Sequence, residues 1–211
     1  MRKLFIILAL LTAALMPANA QADGGAGNFA VELSMTPFTD SEAWLNPGYL
    51  KARYFAGSFG IRLGLGSNML VLSDQEHQPE TVKNLTTFDV RPGVEYHLAR
   101  TSEVIAFAGL DLIYAMRDAN LDAIVGVPVT GAWDIMLLEN RGFTAYGANL
   151  VAGGDYYLKG GGFFIGTEFG FEFLYINRHE VKWGDEVRFA ESGTTQFMPT
   201  LRSVIRVGVS F

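Results

Sequence analysis

Along most of this chain apolar and polar side chains alternate with a period of two. In 86–98, Phe88, Val90, Val94 and Tyr96 fall on even numbers, whereas Asp89, Arg91, Gly93, Glu95 and His97 fall on odd ones. Successive residues of an extended strand point to opposite faces, so such a segment has one oily face and one polar face. The pattern recurs. Ala106, Ala108, Leu110, Leu112 and Tyr114 oppose Gly109 and Asp111. Phe163, Ile165, Phe169, Phe171, Phe173 and Tyr175 oppose Gly166, Glu168, Gly170 and Glu172. Leu201, Ile205, Val207, Val209 and Phe211 oppose Arg202, Arg206 and Gly208. Four further segments follow suit, around Val31, Ala52, Ile61 and Ala148. That makes eight strands, and the apolar face of all eight is free of charge.

The connections alternate between long and short. Pro37 to Gly48, Ser67 to Leu85, Arg117 to Gly142 and Asn177 to Phe197 are long; Gly57-Ser58, Ala99 to Glu103 and Lys159 to Gly162 are short. The expected fold is all-β: an eight-stranded antiparallel up-and-down transmembrane β-barrel, one domain over 21–211, with the four long loops at one end. Pro92 cannot donate a ladder hydrogen bond, so Pro92-Gly93 is expected to mark a bulge, without changing the face parity around it.

Residues 1–20 are expected to be a secretory signal peptide. Met1-Arg2-Lys3 is basic, Leu4 to Met16 is an uncharged apolar run too short for a permanent bilayer helix, and Pro17-Ala18-Asn19-Ala20 ends in the small-x-small pattern of a cleavage site. The chain has no cysteine, which excludes disulfide scaffolds, thiol nucleophiles and cysteine-held metals. A net charge of −6 argues against a nucleic-acid partner.

Alternation alone does not say which face is inside. A lipocalin-like carrier would turn the apolar face inward, and a membrane barrel turns it to lipid. Three features favour the membrane arrangement. The polar face is rich in glycine, which suits the narrow interior of an eight-stranded barrel. Its cations (Lys51, Arg53, Arg62, Arg91, Arg202 and Arg206) nearly balance its anions (Glu32, Asp89, Glu95, Asp111, Asp155, Glu168 and Glu172), as a confined ion-pair network requires. The apolar face carries aromatics near the strand ends, among them Phe29, Tyr96, Tyr114, Tyr146, Tyr156, Phe163 and Tyr175, as in interfacial girdles.

With its eight-strand pattern, its leader and its last segment, Arg206-Val207-Gly208-Val209-Ser210-Phe211, the chain resembles small bacterial outer-membrane barrels of the outer-membrane-protein A and X type. The resemblance covers 27–211 as a pattern and is most specific in the terminal strand. It implies that Phe211, with Val209 and Val207 at the alternate sites, is the signal read by the barrel-assembly machinery. It also implies a place in the outer membrane, among its lipid and lipopolysaccharide.

No catalytic constellation is visible. His77 and His179 fall in acidic loops, and His97 reads as a hydrogen-bond partner on the polar face. No metal site, cofactor or phosphate-binding loop is expected. The third long loop is unusually apolar. Leu121, Ile124, Val127, Trp133, Ile135 and Leu138 either pack on neighbouring loops or offer a docking surface to a partner protein. The function expected is structural or interactive and non-enzymatic. The alternatives are a lipid-A-modifying enzyme, a small pore and a secreted carrier.

Overall fold

The computed structural model describes residues 28–37, 45–74, 81–123, 127–132, 141–159, 162–198 and 204–211. The expected signal peptide lies outside them, as do Ile124, Trp133, Ile135, Leu138 and Arg202. Among the described residues every regular element is a β-strand. In chain order they are β1 (Phe29–Pro37), β2 (Leu45–Ala56), β3 (Phe59–Asp74), β4 (Thr81–Arg100), β5 (Val104–Ala123), β6 (Val129–Thr130), β7 (Phe143–Tyr157), β8 (Phe163–Arg178), β9 (Val181–Trp183), β10 (Glu186–Phe189), β11 (Ser192–Met198) and β12 (Val204–Ser210). They form one twelve-stranded sheet in which each pairing is antiparallel.

Eight of these strands pair in a circuit. β1 pairs with β2, β2 with β3, β3 with β4 and β4 with β5. β5 then pairs with β7, β7 with β8, β8 with β12, and β12 with β1. The last link joins the first and last strands: Phe211 donates its backbone N–H to the carbonyl of Phe29 at 2.8 Å, and the two rings stack 6.1 Å apart. The remaining four strands extend one end of this circuit. β11 continues the line of β12 along β8, while β6, β9 and β10 add to the far end of β5.

The strands run further than the alternation suggested. β3 and β4 stay paired from Phe59↔Tyr96 to Asp74↔Thr81, so the expected loop from Ser67 to Leu85 is mostly ladder. Asn68, Asn84, Thr86 and Thr87 are polar on both faces, which erases the period-two signal without removing the hydrogen-bonding demand of the backbone. The expected fourth loop likewise contains β9, β10 and β11. Pro92 is not the site of a bulge. Val90↔Tyr114 and Gly93↔Asp111 stay in one register on either side of it, and the shift comes instead between His97 and Ala99. Gly57 takes a φ of +64° in the tight β2–β3 turn, a conformation that costs glycine little.

Burial resolves the two faces. The charged face is the enclosed one: Arg53 is 1% exposed, and Glu32, Arg62, Glu95, Asp111, Asp155 and Arg206 are as deeply buried. The apolar face is the open one, with Phe59 64% exposed and Ile61, Leu112, Leu150, Ile165 and Phe171 all uncovered. Glycines make room on the enclosed side. A Cβ at Gly60 would stand 2.8 Å from Glu95 Cγ, and one at Gly166 would overlap the Asp155 carboxylate.

Candidate functional site: an enclosed network of charged side chains

The strand pairing stacks the charged residues inside the circuit. Lys51 and Arg53 alternate on β2, Arg62 lies opposite Arg53 on β3, Arg91 and Glu95 lie on β4, Asp111 on β5, Asp155 on β7, Glu168 and Glu172 on β8, and Arg206 on β12, one pair diagonal from Glu32 of β1. Residues far apart in sequence thus meet across a narrow interior.

Three arginines carry the centre. Arg53 places Nη2 2.8 Å from Asp155 Oδ2 and Nη1 3.2 Å from Glu95 Oε1. Its Nε sits 3.1 Å from Glu32 Oε2, an ion pair off the hydrogen-bond direction. Arg62 reaches Glu168 at 2.7 Å, Asp111 at 2.8 Å and Glu95 at 3.4 Å. Arg206 pairs with Glu32 at 3.2 Å, with Glu168 at 3.5 Å and with Asp155. Lys51 adds a 2.9 Å contact to Glu168. The planar, five-donor guanidinium suits this shared geometry better than an ammonium does.

Above the centre, Arg91 is held by Asp89 at 3.0 Å and Glu172 at 3.1 Å, and its guanidinium lies 4.4 Å from the Tyr49 ring centre. Below it, Arg53 lies over the rings of Phe55 and Phe164, at 5.0 and 5.1 Å. Those rings belong to an apolar plug of Ala30, Phe55, Ile105, Tyr157 and Phe164. His97 joins the network through Nε2, 3.1 Å from Glu95 Oε1.

The expected polar-face residues therefore meet inside the circuit, as a central network and an adjoining set of Arg91 with Asp89 and Glu172, apart from Arg202, which lies outside the described residues. The residues of the expected docking loop divide. Leu121 packs against Val129, Ala132 and Val181, together with Phe189, so it is covered by neighbouring strands rather than offered outward. Val127 is exposed. His179 is hydrogen-bonded to the Thr144 hydroxyl at 2.9 Å. Among the described residues no three metal-ligating side chains converge.

The alternation pattern did not single out Tyr49, Arg117, Arg141 or Arg178. Arg117 and Arg178 continue the faces of Asp111 and Glu172 at unbroken parity, and that parity was the signal available for finding them.

No protein-family model, curated protein or solved structure matches this chain.

Proposed function

We propose that the chain is an eight-stranded outer-membrane β-barrel with a structural or interaction role and no enzymatic activity. One observation carries this: the chain buries its ions and exposes its oil. A soluble carrier does the reverse, because an open apolar face in water is a liability. In lipid the same face costs nothing, and a closed circuit of strands leaves no backbone group unpaired.

The dimensions support it. Tyr146 and Tyr156 bracket the open face of β7, and ten residues at about 3.3 Å each span about 33 Å along the strand. At a tilt of about 40° this projects to about 25 Å, the height of the apolar band in such barrels. Exposed rings gather at both levels. Tyr114 and Tyr146 lie 5.4 Å apart at one, and Phe59 and Tyr96 lie 5.0 Å apart at the other. Tyr175 stands in register with Tyr146. Amphipathic rings favour headgroup depth.

On this reading β6 and β9–β11 rise on the extracellular side, the chain ends on the periplasmic side, and Phe211, Val209 and Val207 present the assembly signal. Outer-membrane lipid and lipopolysaccharide surround the barrel. The ion pairs fill its interior, which favours a scaffold over an open pore.

The test is a gel. The protein extracted from outer-membrane fractions should migrate faster unheated than boiled in SDS. A band that does not move on boiling, or recovery in the soluble periplasm, overturns the proposal.

A further inference from the structure

A second cluster of arginines differs in kind from the network. Arg117, Phe143, Arg178 and Ser192 stand side by side on one rung across β5, β7, β8 and β11. Together with Arg141 and Ile176 they line a cavity of about 500 Å³. By strand parity this is the enclosed side, at the end remote from Phe211. A buried apolar layer of Ile113, Ala115, Ala145 and Leu174 lies between the cavity and the network. Arg178 stands six residue steps along β8 from Glu172, about 20 Å along the strand.

The network and the adjoining Arg91 set together hold five described cations against seven carboxylates. The cavity holds three guanidiniums, and none of them is in an ion pair among the described residues. Arg141 is 6% exposed. Its Nη2 donates to the carbonyls of His179 and Ala190, and its Nε is buried without a partner. Arg117 lies over the Phe143 ring at 4.8 Å, and its Nε is also buried without a partner. Arg178 donates to the Thr194 hydroxyl at 2.9 Å. Among the described residues the nearby acids are engaged elsewhere or face away. Glu191 accepts from Asn177, Glu180 pairs with Lys182, and Asp118 sits exposed on the opposite face of β5. Burial and the neighbouring Arg178 pull the Arg141 guanidinium below its ordinary pKa. Buried donors left unpaired and like charges left uncompensated are costly, and an anion relieves both costs at once.

We propose that this cavity binds a phosphomonoester borne on a sugar-sized body. The three guanidiniums offer forked donors of the geometry that phosphate accepts. The volume exceeds what a bare oxyanion needs and falls in the range of small-molecule sites. Phe143 and Ile176 supply an apolar wall, and Ser192 a hydroxyl at the mouth. The chemistry is the same whether the phosphate is carried by a free sugar phosphate or by a phosphorylated glycolipid headgroup. The site depends on the strand pairing and not on the membrane assignment.

The test is calorimetry on the refolded full chain in lauryldimethylamine-oxide micelles, which carry no phosphate. Glucose 1-phosphate, glucose, lipid A and dephosphorylated lipid A are the probes. Binding of glucose 1-phosphate but not glucose supports the site with a free ligand. Binding of lipid A alone, lost on dephosphorylation, supports it with a headgroup. Arg178→Gln should weaken either by about tenfold or more, and Arg117→Gln/Arg178→Gln should abolish it. Failure of both phosphorylated probes to bind, or binding that Arg178→Gln leaves unchanged, overturns the proposal. Boiling-dependent gel migration of the same samples reports the barrel separately and shows that each variant is folded.

Discussion

Arg53→Met removes one of the three shared guanidiniums of the interior while keeping most of its volume. Arg53 touches Glu32, Asp155 and Glu95. The first two keep Arg206, and Glu95 keeps Arg62 at 3.4 Å and His97 at 3.1 Å. No carboxylate is stranded, but the described charged interior falls from five cations against seven carboxylates to four against seven. Breaking one partner out of a buried pair costs about 3–5 kcal/mol. The surviving partners put Arg53→Met near the lower end, about 3 kcal/mol, and the lost contacts with Phe55 and Phe164 add about 1 kcal/mol. Glu32→Gln in the same chain restores the original charge difference. The double variant should therefore be more stable than the sum of the two single effects by about 1–2 kcal/mol. The assay is urea unfolding in lipid vesicles, read by gel migration and by the fluorescence of the three tryptophans. An Arg53→Met protein as stable as the parent, or a double variant that is simply additive, refutes the interdependence of these ion pairs.

Three further outcomes are expected. Gly166→Ala should cost about 1–3 kcal/mol, because its Cβ meets Asp155, Gly154 O at 2.9 Å and Arg206 Nη2 at 3.1 Å; Gly154→Ala, whose nearest atom is 3.6 Å away, should be neutral or stabilising in the same unfolding assay. Leu150→Arg, midway between the two tyrosines of β7, should destabilise the vesicle-embedded protein by about 2–4 kcal/mol, and Tyr156→Arg at the edge by at most about 1 kcal/mol; equal costs would contradict the depth assignment. Val129→Asp should open the small cluster with Ala132 and Val181, so that protease cuts within 121–142 while the SDS-resistant core persists.

Much of this architecture was legible because one face of each strand had to be uniformly oily. Phe163 to Tyr175 announces itself in that way, and so does the charge on the opposite face. Legibility failed where both faces were polar or the run was short. Thr86 and Asn84 look like loop but pair in β4, and the packing alternative for the apolar third loop did not name Val181 as the residue that covers Val129. Which carboxylate meets which guanidinium was not readable. Arg206 and Glu32 are 174 residues apart, and only the β1–β12 closure brings them together. The arginine cavity was hidden for a related reason: Arg141 lies outside the named strands, in an isolated bridge to Ala132, so parity alone could not assign its direction.

Orientation is the claim beneath all of this, and the cysteine-free chain allows it to be measured directly. Single cysteines placed from Gly109 to Leu112 can carry spin labels in the vesicle-embedded protein, to be relaxed by lipid-soluble oxygen or by a water-soluble nickel chelate. Labels at Leu110 and Leu112 should respond strongly to oxygen and hardly to nickel, and those at Gly109 and Asp111 weakly to both. Strong nickel relaxation at Leu110 and Leu112 would put the oily face in water and contradict the account.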